Sequence, residues 1–179
     1  MPQFVHLHVH SQYSILDGQA SIQRLVDKAM ADGQPGIAIT DHGDMFGIKE
    51  FYNYVKKVKG KLKDKAADCE KRLEELRGGE AGAAEIADCE KQLAELKRKL
   101  AFKPIIGCEV YVARRRLHDK EGKPDQSGYH LILLAKNLKG YHNLIKIVSK
   151  AWTEGFYMRP RTDRAEIEKY HEGLICCSA

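Results

Sequence analysis

Short apolar runs alternate with segments of helical periodicity along this 179-residue chain, and this alternation restricts the possible folds more than any other feature. Apolar residues with helical spacing follow Ser21, begin again after Asp44 and recur over 138–152. The apolar runs typical of strands lie at 4–10, 36–40, 105–112, 130–135 and 173–178. Strands and helices in this order indicate an α/β fold with parallel strands.

The composition is that of one soluble globular domain, with 43% hydrophobic and 31% charged residues. No apolar run approaches the roughly 18 residues that a membrane span requires. The segment Met1 to His6 lacks the basic start and apolar stretch of a secretory signal. We therefore expect a cytoplasmic protein with no membrane partner, whose five cysteines are thiols.

A Lys-, Glu-, Leu- and Ala-rich segment over 60–101 interrupts the alternation. Its apolar positions step by 3 and 4 residues on either side of the glycine-rich run 78–82, and this spacing is typical of heptad seams. Folding the segment about residue 79 places Cys69 opposite Cys89 and Leu73 opposite Ile86. The pattern predicts an antiparallel helical hairpin rather than one long solvated helix, which would leave both seams exposed.

The net charge of +5 is concentrated in one part of the chain. Residues 56–103 hold 14 basic and 10 acidic side chains, so the rest of the chain is nearly neutral. A cationic face across the whole domain is not expected. The cluster Arg114-Arg115-Arg116 is either a local phosphate contact or a solvated loop.

The first apolar run carries a row of histidines. On a strand, His6, His8 and His10 point to one side, because successive side chains alternate between faces. One such histidine is more often a hydrogen-bonded neutral group. Two at i and i+2, however, can converge on one ion, and this favours a metal site.

Other ligand types follow at positions expected near strand ends. Asp17 follows a short loop, and His42 lies in Thr40-Asp41-His42-Gly43 where the second strand ends. Glu109 lies within an apolar strand, where an uncompensated carboxylate would be costly, and His130 begins another apolar run. A salt-bridged glutamate and a capped histidine would explain these residues singly. Together they favour a metal centre suited to zinc, manganese or iron and not to calcium.

The pattern formed by these residues resembles the PHP domain family, named for polymerase and histidinol phosphatase. The resemblance covers residues 4–59 and 102–178, and within the family Gly155-Phe156-Tyr157 with Pro160-Arg161 is similar to the polymerases that replicate bacterial DNA. It implies a distorted (β/α)7 barrel that holds up to three divalent metal ions. The hairpin is then an insertion. The metal ligands that the resemblance implies are His8, His10, Asp17, His42, Glu109 and His130, with His6 a neighbour and no catalytic residue beyond the ligands.

Three further ligands of the family would lie beyond Ala179, and the chain ends on an apolar run. We therefore expect residues 1–179 to be the truncated N-terminal part of a PHP domain, with an incomplete barrel that is inactive alone. The resemblance implies a replicative polymerase whose PHP domain is a phosphoesterase that proofreads as a 3′ to 5′ exonuclease. Its partners would be the 3′ end of single-stranded DNA, the polymerase domains of the same chain and replisome subunits. A separate phosphatase of small phosphate esters and a non-catalytic interaction module are the alternatives.

Overall fold

The computed structural model describes residues 4–79 and 81–179. Met1 to Gln3 and Glu80 lie outside the described residues, so the expectations about the N-terminal segment and the centre of the glycine-rich turn are not addressed by it. None of the helices in the described ranges combines the length and the apolar character that crossing a membrane demands.

The centre of the fold is a mixed sheet of five strands that does not close into a barrel. The strands are β1 (Gly36–Ile39), β2 (Lys103–Ala113), β3 (Gly128–Ala135), β4 (Arg161–Thr162) and β5 (Leu174–Ser178). Strand β2 pairs in parallel with β1 and with the short β4, while β3 is antiparallel to both β2 and β5.

The expectation of parallel strands is confirmed for β1 and β4 beside β2, but it is wrong for β3 and β5, which pair in antiparallel fashion. A parallel pair needs a long crossover connection. Between β2 and β3 the chain instead turns back at the same end of the two strands, and the register runs from Gly107 opposite Leu134 to Ala113 opposite Gly128. The strand expected at 4–10 is also absent. Among the described residues, two backbone hydrogen bonds reach this segment from β1 and the residue after it, from Ala38 to His6 and from Thr40 to Val9. The Val9 amide donates to the Thr40 hydroxyl instead of to a neighbouring strand.

Helices cover the sheet through two apolar clusters. The helices are α1 (Ile22–Ala31), α2 (Ile48–Gly78), α3 (Ala83–Leu100), α4 (Lys123–Gln126), α5 (Leu138–Thr153) and α6 (Arg164–Tyr170). Helix α1 begins after Ser21, whose side chain accepts from the Arg24 amide, and it ends before Gly33. Its buried side chains pack with β1 and with the first turns of α2, whereas α5 packs against β2 and β3.

Helix α2 runs without interruption from the sheet through Gly60 into the heptad segment. There it packs against α3, and the Sγ atoms of Cys69 and Cys89 lie 3.6 Å apart. The apolar contact between the two helices is built from Ala66, Leu73, Cys89 and Leu93, with Cys69, Leu76, Ile86, Leu96 and Leu100 around them.

Arg161 in β4 organises the connection between β2 and β3. Its guanidinium is buried and donates to the carbonyl oxygens of Gly155, Leu117, Asp119 and Asp125 at 2.9 to 3.1 Å. Because the cation is satisfied by backbone oxygens, it holds an otherwise irregular loop next to the sheet.

Candidate metal centre

The pairing of β1 with β2 brings His42 next to Glu109. Ile39 lies opposite Ile106, and the same register continues beyond the end of β1, so that His42 forms a bridge with Glu109. The Gly43 amide donates to the Glu109 carbonyl at 2.8 Å. Gly43 has φ of +63°, which lets the chain turn away immediately after His42.

Strand β3 adds His130 on the same face. His130 lies opposite Tyr111 in the antiparallel register, and Tyr111 and Glu109 share a face because they are two residues apart on β2. Nδ1 of His130 contacts Oε1 of Glu109. The fold therefore delivers two imidazoles to this carboxylate from its two sides.

His8 and His10 approach the other carboxylate oxygen. Nε2 of His8 lies 2.5 Å from Oε2 of Glu109, and Nε2 of His10 lies 3.2 Å from the same oxygen. The two Nε2 atoms are 3.0 Å apart. His6 does not join them, since its ring packs edge-on against Phe4.

Asp17 completes the group through His42. Its carboxylate accepts from Nε2 of His42 at 2.9 Å. The loop that carries Asp17 folds tightly, because a Cβ on Gly18 would lie 1.7 Å from the Ser11 carbonyl oxygen. Only glycine fits there. The close approach of the backbone at Gly18 to Ser11 keeps the neighbouring Asp17 near the histidine cluster.

Asp41 supports this loop from beneath. It is buried and accepts from the Ser11 amide at 2.6 Å, from the Ser11 hydroxyl at 2.7 Å and from the Ser14 hydroxyl at 2.8 Å. Since Ser14 gives its proton to Asp41, its oxygen is left to accept from Nδ1 of His10 at 3.1 Å. That contact leaves Nε2 of His10 with a free lone pair facing Glu109.

Burial and neighbouring groups shift the pKa values of three residues in the cluster. Burial lowers the pKa of His10, and the nearby imidazole of His42 lowers it further. Burial favours the neutral form of Glu109, but the hydrogen bond from His8 and the charges of His42, His130 and His10 outweigh it and lower the pKa of the carboxyl. The hydrogen bond from His42 lowers the pKa of Asp17. The cluster therefore favours a neutral His10 beside ionised Glu109 and Asp17, which are the protonation states that metal ligation requires.

This donor set fits divalent metal ions. Two imidazole nitrogens bound to one ion at about 2.1 Å would lie about 3.4 Å apart, close to the separation of His8 and His10. The buried Nδ1 of His42 finds no hydrogen-bond partner among the described residues. Within those residues, three overlapping groups bring their ligand atoms within 4.8 Å of one another: His8, His10 and Glu109; His10, Asp17 and His42; and His42, Glu109 and His130.

All six residues that the sequence singled out as ligands therefore lie in one connected cluster. The sequence did not single out Tyr111, whose ring stacks on His42 and meets the edge of His130, or Arg159, whose guanidinium lies 5.0 Å from the centre of that ring. The period of two from Glu109 could have indicated Tyr111. No local pattern marks Arg159.

The family model described as "PHP domain" matches residues 6–179. The chain belongs to the PHP domain family. The match extends from the histidine segment through β5, and it includes all six candidate metal ligands.

Curated relatives extend this finding. The chain is 39% identical over 178 residues to the DNA polymerase III subunit alpha of Borreliella burgdorferi, 40% identical over 177 residues to that of Treponema pallidum and 37% identical over 180 residues to that of Thermus aquaticus. These matches cover 98 to 99% of the PHP chain. The chain spans only 11 to 12% of the length of these relatives.

Proposed function

We propose that this chain is the N-terminal PHP domain of a bacterial DNA polymerase III α subunit, and that the domain is a metal-dependent phosphoesterase acting as a 3′ to 5′ exonuclease. The observation that carries the proposal is the convergence of four imidazoles on the buried carboxylate of Glu109. Zinc suits this donor set best, and manganese and iron also suit it. The setting would be the cytoplasm, with the polymerase domains of the same chain and other replisome subunits as partners.

Glu109 joins the two halves of the centre. Its Oε2 faces His8 and His10, and its Oε1 faces His42 and His130, so one carboxylate would be shared between ions held by the two pairs. When bound, divalent ions supply a hydroxide from water and hold the phosphate oxygens. No serine or cysteine nucleophile is then required. The residues of this chain would hold the ions and the phosphate in place.

Arg159 is the side chain best placed to hold the substrate phosphate. It is exposed, and among the described residues no carboxylate lies within 4 Å of its guanidinium. It lies over the ring of Tyr111, which itself stacks on the ligand His42. An unpaired guanidinium next to a metal centre binds a phosphodiester by two parallel hydrogen bonds.

Exposed aromatic rings support a nucleic-acid substrate over a small phosphate ester. The rings of Trp152 and Phe156 stack with centres 5.6 Å apart, and Phe46 lies 6.1 Å from Trp152. The indole of Trp152 donates to the carbonyl of Gly43, directly after the ligand His42, at 2.8 Å. Bases of a single strand stack on such rings, whereas a small phosphate ester has no bases to stack there.

We also propose that residues 60–101 form a helical hairpin inserted into a PHP domain that extends over 1–179. The contact between Cys69 and Cys89 and the ion pairs from α2 to α3 support this organisation. The sheet would then be the first part of a distorted (β/α)7 barrel. Its open β5 edge is where further strands would pair.

The test uses the full-length polymerase with His8→Ala and His10→Ala together. We expect bound metal and the removal of nucleotides from a 3′-labelled single strand to fall together by at least tenfold, while polymerisation persists. His6→Ala is the matched control, because it lies on the same segment outside the cluster. Normal metal content with normal exonuclease activity in the double variant would refute the catalytic proposal.

Trp152→Ala with Phe156→Ala separates the two substrate classes. We expect the activity of this variant on the single strand to fall about tenfold or more, because the bases lose the rings on which they stack. Its activity on an aryl phosphate should persist. Equal losses on both substrates would favour the small-ester phosphatase. If the variant with His8→Ala and His10→Ala lost its metal but kept its phosphoesterase activity, that result would favour a non-catalytic module.

A further inference from the structure

The two ends of the helix pair α2 and α3 carry opposite charge. Residues 56–65 and 97–103, at the end next to the sheet, hold ten basic side chains and one acidic side chain. Residues 66–96, at the far end, hold four basic and nine acidic side chains. The charge of this segment is therefore not spread along the helices as it would be on an ordinary solvated surface.

Ion pairing distinguishes the far end from the α2 side of the end next to the sheet, whereas the α3 cations Lys97, Arg98 and Lys99 pair with Glu70 or Glu95. At the far end, Arg72 pairs with Glu85 at 3.3 Å and Arg77 pairs with Glu90 at 2.5 Å. Next to the sheet, a group of exposed lysines has no carboxylate within 4 Å among the described residues. They are Lys56, Lys57, Lys61, Lys63 and Lys65.

These lysines form two rows on α2. Lys57, Lys61 and Lys65 are four residues apart, and the helical rise of about 1.5 Å per residue spaces them by about 6 Å. Lys56 and Lys63 form a second row at a spacing of seven residues, which the exposed Lys49 extends toward the start of the helix. Like charges at i and i+4 repel each other, so this face of the helix carries a repulsion that a bound polyanion would relieve.

The apolar side chains nearby exclude the other common partners. Between 56 and 65 the only large apolar residues are Val58 and Leu62, and both are half-buried. A protein interface needs an apolar or aromatic centre and is depleted in lysine. A membrane-surface helix needs a free apolar face, but the apolar face of α2 packs against α1, β1 and α3. A phosphate backbone requires only cations.

We propose that these two rows, the lysine rows, bind the phosphate backbone of DNA without regard to sequence. The choice of DNA over another polyanion rests on the proposed function. The surface is separate from the metal centre, because Lys59 donates to the carbonyl of Phe102 just before β2 begins, whereas Glu109 lies further along that strand. The lysine rows would hold the duplex and leave the chemistry at the metal centre unaffected.

The test is a triple variant, Lys57→Gln, Lys61→Gln and Lys65→Gln, in the full-length polymerase. Binding to a fluorescent 30-base-pair duplex is measured by anisotropy between 50 and 200 mM NaCl. Each lost phosphate contact should reduce the slope of log K against log salt by about 0.9, and three contacts should weaken binding at least fivefold at 100 mM salt. Glutamine keeps the helix, so circular dichroism should not change.

The matched control is Lys71→Gln, Arg72→Gln and Lys91→Gln, which removes the same charge from the far end of the same helix pair. We expect it to bind as the unaltered protein does. Metal content and cleavage of a trinucleotide should be normal in both triple variants, so a failure of the proposed function would be seen separately. The proposal is overturned if the two triple variants have the same salt slope, or if only binding to vesicles of anionic lipid changes.

Discussion

Asp41 is not among the clustered metal-ligand candidates, yet it determines how one of them is presented. Its hydrogen bonds to Ser11 and Ser14 fix the loop, and Ser14 in turn fixes the orientation and tautomer of His10. Such partners of ligands contribute to metal affinity because an imidazole that must be ordered on binding costs entropy. At the scale of single residues, the hydrogen bonds of Asp41 and Ser14 therefore matter for the candidate centre as much as the candidate ligands themselves.

We expect Asp41→Ala to weaken metal binding about 10- to 100-fold although every candidate ligand remains. The buried amide of Ser11 and the hydroxyls of Ser11 and Ser14 would lose their acceptor, and His10 would lose its fixed tautomer. Equilibrium dialysis against a chelator, followed by metal analysis, measures the change. Asp32→Ala, on the exposed end of α1, is the control and should have no effect. Unchanged affinity in Asp41→Ala would show that the loop is held by other contacts.

At the scale of elements, the helix pair is stabilised by its own small apolar cluster. Leu73 and Cys89 are buried there, apart from the clusters that pack on the sheet. Burial also raises the pKa of the Cys69 thiol, which keeps it protonated and poorly reactive. We therefore expect that the pair can lose stability without disturbing the candidate metal centre.

We expect Leu73→Ala to destabilise the protein by about 2 to 4 kcal/mol, because it removes buried methyl groups and leaves a cavity between the helices. Glu74→Ala, on the exposed side of the same turn, should change stability by less than about 0.5 kcal/mol. Urea unfolding followed by circular dichroism measures both. Metal content should stay normal in both variants, and a metal loss in Leu73→Ala would contradict the independence of the two regions.

At the scale of the whole molecule, an ion pair within the β2–β3 connection and hydrogen bonds from Arg161 of β4 hold this connection next to the sheet. Asp125 is buried and accepts from Arg115 at 3.0 Å, while its carbonyl accepts from the buried Arg161. The hydrogen bond from Arg115 lowers the pKa of Asp125 below its ordinary value near 3.8. A carboxyl whose pKa is lower in the folded state stabilises the fold above its unfolded pKa, and that stability is lost as the pH falls through the folded pKa.

We therefore expect the free energy of unfolding to fall with pH below about 4, in part because Asp125 becomes protonated. Asp125→Asn should reduce stability at pH 7 and flatten this acid-induced decline, since the titrating group is gone. Urea unfolding at a series of pH values from 7 to 3 measures the slope. Asp27→Asn, on the exposed side of α1, should retain the decline. A slope in Asp125→Asn as steep as in the unaltered protein would contradict this role.

Local patterns in the sequence determined most of the elements. Apolar runs marked β1, β2, β3 and β5, and the cap at Ser21 marked α1. The short elements α4, β4 and α6 were missed, since two to seven residues carry too little periodicity to be recognised. Four of the six ligand candidates, His8, His10, Glu109 and His130, were visible because imidazoles and carboxylates are out of place in apolar runs unless something compensates them. Asp17 and His42 were marked by their positions near strand ends and by the family resemblance.

Strand direction and the contacts of the centre were decided only by the tertiary structure. An apolar run looks the same whether its neighbour is parallel or antiparallel, so nothing local revealed that β3 turns back along β2. The segment 4–10 has the alternating pattern of a strand but does not form a ladder of backbone hydrogen bonds. The Val9 amide, for example, donates to the side-chain hydroxyl of Thr40. Tyr111 and Arg159 meet through chain segments 48 residues apart in sequence. Such contacts depend on register and packing across the sheet, and those are properties of the whole fold.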